Sequence, residues 1–301
     1  GKNVSILGGN VTANGTVATW SAGEDCGTIT LGWRNAADRI KATAYSCTTL
    51  KIADDKKLTD GTNIYNDQTP SSTLAALTDV TLRPVFVPYI DADGNTAYCT
   101  NFTVLNGSNG DEIIEISQAN GCDGWYVVTG KVTYSAGLFI EGHNDDVNLI
   151  LCDDAELSLS GYDYAFGVSG YHFNIFGQTN GTGKVVTTNS EYGIYASVCS
   201  GDGYSSLSSG SFTINGGTIE ATGEDNGINV YGGAFTINGG TIEATGDIYG
   251  IFASQDITIN SGSVNATGSG SCGYGILSCE GNIEINGGVV EANGSSSGIE
   301  A

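Results

Sequence analysis

The sequence predicts an all-β protein wound as a right-handed parallel β-helix, three strands to a rung, with a small inserted β-module near the N-terminus. Three observations predict it. The phrase FTINGGTIEATG occurs at Phe212 and again at Phe235, and close identity at so short a period marks stacked repeats. Aligning on Ile-Asn-Gly puts Ile214, Ile237, Ile259 and Ile285 in one column, at spacings of 23, 22 and 26 residues. The composition, with 46 glycines, three prolines, no methionine and many Thr, Asn, Val and Ile, favours short strands and tight turns over helices.

Within each unit apolar residues alternate with polar ones. Phe212 and Ile214 face in; after Gly216 and Gly217, Ile219 and Ala221 face in while Glu220 and Thr222 face out; Gly227 and Ile228 open a third strand. Equivalent residues of successive rungs, about 4.8 Å apart, should be alike. They are: Ile219, Ile242, Val264 and Val290; Ala221, Ala244, Ala266 and Ala292; Ile228, Ile251, Ile276 and Ile299. Asn215, Asn238, Asn260 and Asn286 predict an amide ladder at the first turn.

The chain organises into four segments. Residues 1–16 read as a partial rung, with Ile6, Val11 and Ala13 at the motif's apolar positions. Residues 17–88 read as a separate small β-module, with Trp20, Trp33, the strand-like runs TITLGW and VTLRPVFV, and Pro84 and Pro88 near its exit. Residues 89–146 read as a lead-in segment in which WYVVTGKVTY forms a strand pair capping the helix's open end. Residues 147–301 read as the β-helix itself, its first rungs carried by VNLIL, FNIF and GIYASVC, with Ser200 to Ser209 as a loop.

With 33 acidic and 10 basic residues the net charge is -23, which repels a polyanionic backbone and excludes nucleic acid as a partner. No run approaches the roughly 18 apolar residues that would span a bilayer, so membrane insertion is not expected. The chain starts and stops inside recognisable units, so flanking repeats of a longer chain are expected partners. The eight cysteines are too widely spread for zinc. In an exported protein, Cys26 with Cys47, Cys99 with Cys122 and Cys272 with Cys279 are conceivable disulfides, and small buried thiols are the alternative.

The runs CTNFTVLNGS, GWYVVTGKVTYSAGLFIEG, VNLILCDDAELSLSG, FNIFGQTNGTGKVV and FTINGGTIEATG together resemble large exported surface proteins of gut bacteria, which string right-handed β-helix segments between small β-modules. The first module, ending LTDVTLRPVFV, is similar to repeat modules of bacterial surface proteins. This resemblance implies an extracellular or bacterial cell-surface location and an adhesin-like role. The INGGTIEATG rungs also look like a secreted β-helix family related in architecture to pectate lyases, and that resemblance implies carbohydrate binding and association with calcium.

Lyases of that architecture need a Lys or Arg base beside carboxylates that hold calcium against an acidic sugar. From Val185 to Ala301 the sequence has no Lys, Arg or His, leaving only Lys131, Lys184, His143 and His172 near the earlier rungs. Carboxylates alone could serve a hydrolase, with Asp145 and Asp146 or Asp153 and Asp154 as candidates, but adjacent residues on a strand point to opposite faces. Glu220 and Glu243 share an outward column, where two charges one strand apart repel by roughly 0.9 kcal/mol in water. A calcium ion held by them with the turn acids Glu224, Asp225 and Asp247 would offset that; splaying into solvent is the alternative. Tyr192, Tyr249 and Tyr274 form an aromatic column, interrupted by Asn226, and with Tyr231 they are the candidate sugar-stacking residues; mutual stacking is the alternative. The sequence therefore favours a non-catalytic surface or secreted protein that binds a polysaccharide or cell-surface glycan. The alternatives are a polysaccharide lyase or glycoside hydrolase with its active site in early rungs or outside this stretch, and a structural spacer.

Overall fold

The computed structural model describes residues 3–21, 24–25, 27–34, 37–54, 56–108, 112–115, 124–142, 146–188, 190–198 and 210–301. It divides into two units, residues 1–87 with 98–101, and residues 88–97 with 102–301.

The second unit is a parallel β-helix. Among the described residues its three sheets hold eight, seven and eight strands, every one paired in parallel with its equivalents in the neighbouring rungs. One rung reads Gly210–Ile214 in the first sheet, Thr218–Thr222 in the second and Asn226–Tyr231 in the third. The predicted columns are real neighbours: Ile214, Ile237, Ile259 and Ile285 are in register, as are Ile219, Ile242, Val264 and Val290. Inward residues of all three sheets form one continuous core, and most of it is inaccessible to solvent. Phe173, Phe212 and Phe235 stack down its length at 4.5 and 5.0 Å between ring centroids.

Two features hold the first turn. Asn238 Nδ2 donates to Asn215 Oδ1 at 2.8 Å, Asn260 to Asn238 at 2.9 Å and Asn286 to Asn260 at 2.9 Å, so each amide bridges two rungs. The second glycine of the motif turns the chain at positive φ, +91° at Gly240, a conformation that costs a residue with Cβ. At the opposite corner the constraint is space. A Cβ on Gly227 would lie 2.5 Å from the Thr245 nitrogen and 2.8 Å from the Gly250 carbonyl oxygen.

The β-helix begins earlier than the sequence suggests. Parallel pairing starts at Thr103–Val104, and Trp125–Val128, Lys131–Tyr134 and Leu138–Glu141 form a full rung, so most of the expected lead-in is β-helix. WYVV and KVTY do not pair with each other; each joins a different sheet. The covering role falls to residues 88–97 instead. Tyr89 packs against Trp125 and Phe176 at 5.1 and 4.8 Å, and Gln178 Nε2 donates to the Pro88 carbonyl at 2.7 Å. The cover lies over an outer sheet face, where Val127 and Ile150, in register with Phe176, are fully buried.

In the first unit, Val4–Ile6, Thr28–Leu31 and Thr49–Ile52 form a parallel sheet, and Asn10–Ala18 runs parallel to Arg39–Ser46 in a second. Ile6 and Val11 do occupy rung-like positions, but their partners are Leu31 and Ile40 of this unit. A boundary at 16/17 would cut through Asn10–Ala18, so residues 3–18 go with the module that follows. Its core gathers Ile29, Leu31, Trp33, Ile40, Leu50, Ile52, Leu74 and Leu82. The Trp33 indole donates to the Lys57 carbonyl at 2.9 Å.

Cys272 and Cys279 are unbridged, which removes one conceivable disulfide. Cys26 and Cys122, and with them the other two, lie outside the described residues, as do Cys199 and the expected loop from Ser200 to Ser209.

Two stability outcomes follow from the column packing. Ile237→Ala leaves a cavity between two rungs and is expected to cost about 3 kcal/mol, against a few tenths for the outward Thr236→Ala; urea midpoints give both. Asn238→Ala removes two ladder bonds and is expected to cost about 2 kcal/mol, with an unchanged denaturant slope in the same titration.

Candidate functional site

The outer faces of the second and third sheets carry the paired glutamates and the tyrosine column singled out from sequence, and they differ in character. On the second sheet, Lys131, Glu156 and Lys184 occupy one column. Lys131 and Lys184 stand 3.8 and 3.6 Å from Glu156, and Lys184 also lies 3.8 Å from Glu220. The Ser158 hydroxyl, then the two lysines, hold the Glu156 carboxyl below the usual range. Glu220 and Glu243 are in register, as predicted. Part of their repulsion is offset from within the chain, because Lys184 sits beside Glu220.

The turn acids Glu224, Asp225 and Asp247 lie at the corner between the second and third sheets, where the Asp247 N–H donates to the Glu224 carbonyl and the Ser269 hydroxyl to the Asp247 carboxylate. Among the described residues no group of three or more His, Cys, Asp and Glu side chains is gathered closely enough to hold a metal ion.

The candidate catalytic groups are dispersed. Lys131 and Lys184 are ion-paired on the second sheet, whereas His172 is on the first, its Nδ1 2.9 Å from the Ser211 hydroxyl and its ring against Tyr171. Asp153 and Asp154 sit in a turn and not on a strand, Asp154 at φ +63°, and Asp153 accepts from the Asn180 side-chain amide at 3.0 Å. Asp146 is exposed; His143 and Asp145 lie outside the described residues.

The third sheet is aromatic on its outside. Tyr164, Tyr192, Asn226, Tyr249 and Tyr274 form one column. Phe139, Gly167, Tyr195, Asn229, Phe252 and Leu277 form the next. Rings of the two columns touch: Phe139 with Tyr164 at 5.2 Å, Tyr164 with Tyr195 at 6.0 Å, Tyr192 with Tyr195 at 5.6 Å and Tyr249 with Phe252 at 5.1 Å, and within the first column Tyr249 meets Tyr274 at 5.7 Å. The tyrosines of the predicted sugar-stacking column are therefore half-buried, their rings tilted against partners that sequence reading missed. Tyr231 stands apart, exposed and in register with Ser197. Gly167 leaves room for the Phe139 ring, which would otherwise meet a Cβ at 2.2 Å.

Between the rungs of Tyr164 and Tyr274, the rung of Asn226 and Asn229 is the one described that has no ring in either column. Asn226 is 4% exposed, and the Oδ1 atoms of both asparagines are buried without a hydrogen-bond donor. Each such acceptor costs about 1–3 kcal/mol. Burial, then a hydrogen bond to Glu191 and the Glu191 and Asp225 charges, pushes the Tyr192 hydroxyl up to about 12; burial, then Tyr274 and Cys279, raises that of Tyr249.

Residues 212–234, 235–253, 257–276 and 283–299 each match the family model described as Beta helix repeat. This is a parallel β-helix repeat protein. No curated protein and no solved structure matches the chain. The four matched stretches are the last four rungs of the β-helix, and the earlier rungs keep the same register with bulkier cores, such as Phe166, Leu157 and Leu149. The missed aromatics had a signal in the repeat itself: YGIY, NGIN, YGIF and YGIL at Tyr192, Asn226, Tyr249 and Tyr274 place a second outward residue three positions after the first, because the corner glycine changes the alternation.

A pH response follows from Tyr192. The native state holds its proton more tightly than an unfolded chain, whose tyrosines titrate near 10. Stability from this group is thus complete below about pH 10 and is lost as pH rises toward 12. Urea midpoints measured between about pH 9 and 11.5 should fall less steeply in Tyr192→Phe than in the unaltered chain.

Proposed function

We propose that this β-helix repeat protein is a non-catalytic secreted or cell-surface protein that binds polysaccharide on the outer face of its third sheet. The carrying observation is the double column of half-exposed rings in register on a flat wall. Aromatic faces offer apolar area at little entropic cost and stack on flat ligands, and β-strand pairing fixes the spacing of those faces before any ligand arrives. The dispersal of the Lys, His and Asp candidates supports binding without turnover, since proton transfer needs an acid or base within hydrogen-bond reach of the reacting group.

Screening the protein on a polysaccharide array, with and without chelator, tests this. Retention without product is expected. Release of unsaturated or reducing ends would make the protein an enzyme, and no retention by any glycan would leave a spacer. A loss of retention on chelation would assign calcium a part. Tyr249→Ala is expected to weaken retention about tenfold, equivalent to about 1.4 kcal/mol. Glu220→Gln, on the second sheet, should leave it unchanged.

A further inference from the structure

The gap in the aromatic wall is chemically specific. Asn226 and Asn229 replace aromatic or large side chains in both columns of the same rung, between the Tyr192 and Tyr195 rings on one side and the Tyr249 and Phe252 rings on the other. The flanking ring pairs are two rungs apart, about 10 Å at the strand spacing. Both Oδ1 atoms lack a donor, and the neighbouring Tyr192 hydroxyl is already given to Glu191. Buried acceptors in native proteins are almost always paired. A missing donor beside stacked rings marks a place where a ligand group completes the bonding.

The surroundings restrict that ligand. Glu191, Glu224 and Asp225 lie at the corner next to this rung, and no Lys, Arg or His occurs from Val185 onward. An anionic sugar would meet like charge and no counter-ion. A hydroxyl group, by contrast, donates to an amide oxygen without bringing charge.

We propose that Asn226 and Asn229 form a hydroxyl-reading subsite for a neutral polysaccharide, with the Tyr192–Tyr195 and Tyr249–Phe252 ring pairs stacking on sugars to either side. The subsite rests on the binding role of the third sheet proposed above, and deepens it by naming neutral sugars over uronates. The side chains of the two asparagines turn toward the ligand on binding, which pairs acceptors that the free protein leaves bare.

Isothermal titration of the unaltered protein, Asn226→Ala, Asn229→Ala and Tyr249→Ala with cellohexaose and mannohexaose as neutral probes and hexagalacturonate as the anionic one tests this. The unaltered protein should bind at least one neutral probe at least tenfold more tightly than hexagalacturonate. Each asparagine variant should lose about tenfold for that probe while its melting temperature stays equal or rises, because an unpaired acceptor has been removed; a purely structural asparagine would lower it. Binding within twofold of the unaltered protein in both asparagine variants, with Tyr249→Ala weakened, would overturn the subsite and leave the binding role standing. Preference for hexagalacturonate would overturn the neutral assignment. Failure of every probe here and of every glycan on the array would overturn both proposals.

Discussion

Everything in the second unit depends on parallel backbone pairing that keeps each rung in register with the next. Where strands stack at one spacing, a residue's neighbours are the residues one repeat before and one repeat after, and a slip of one position would turn every inward side chain outward. The asparagine ladder and the isoleucine column police that register from two directions. The first bonds only when amides align, and the second fills space only when branched side chains do. Phe173, Phe212 and Phe235 extend the same logic through rungs whose sequences otherwise diverge.

Stacking separates the chemistry of the faces. The second sheet shows alternating charge along Lys131, Glu156, Lys184 and Glu220, then carboxylates without cations at Glu243 and Glu291. Exposed pairs of this kind contribute little to stability, so their main effect is on the field around the protein. The third sheet shows rings. The proposed ligand, an uncharged, hydroxyl-rich chain, suits the aromatic side, while the acidic side repels polyanions.

The two asparagines show what a break in such a wall costs. Within the repeat, replacing an outward aromatic costs nothing in register, because the backbone pairing and the Gly227 corner are unaffected. The cost appears instead as two unpaired acceptors. Natural folds tend to carry unsatisfied groups of this sort where function uses them. The first unit shows the same winding habit in shorter form: its parallel pairs place Ile6 on Leu31 and Val11 on Ile40 before antiparallel strands end the pattern.

By itself the sequence determined the rung, its columns and the asparagine ladder, because identical neighbours at a fixed period are a direct physical consequence of stacking and are visible as repetition. It also placed Tyr192, Tyr249 and Tyr274 in one line and Glu220 beside Glu243. Only the tertiary structure decided the rest. The early rungs from Thr103 were hidden, since their larger core residues stack as well as isoleucine does without resembling it. The cover by Tyr89 depends on an outer-face contact with Trp125 and Phe176 that no periodicity encodes. The second aromatic column was out of sight because a corner glycine shifts the alternation between Tyr192 and Tyr195. Whether an asparagine's oxygen finds a donor is a matter of three-dimensional neighbours alone, and it is that accounting which turned a break in a tyrosine column into a candidate site.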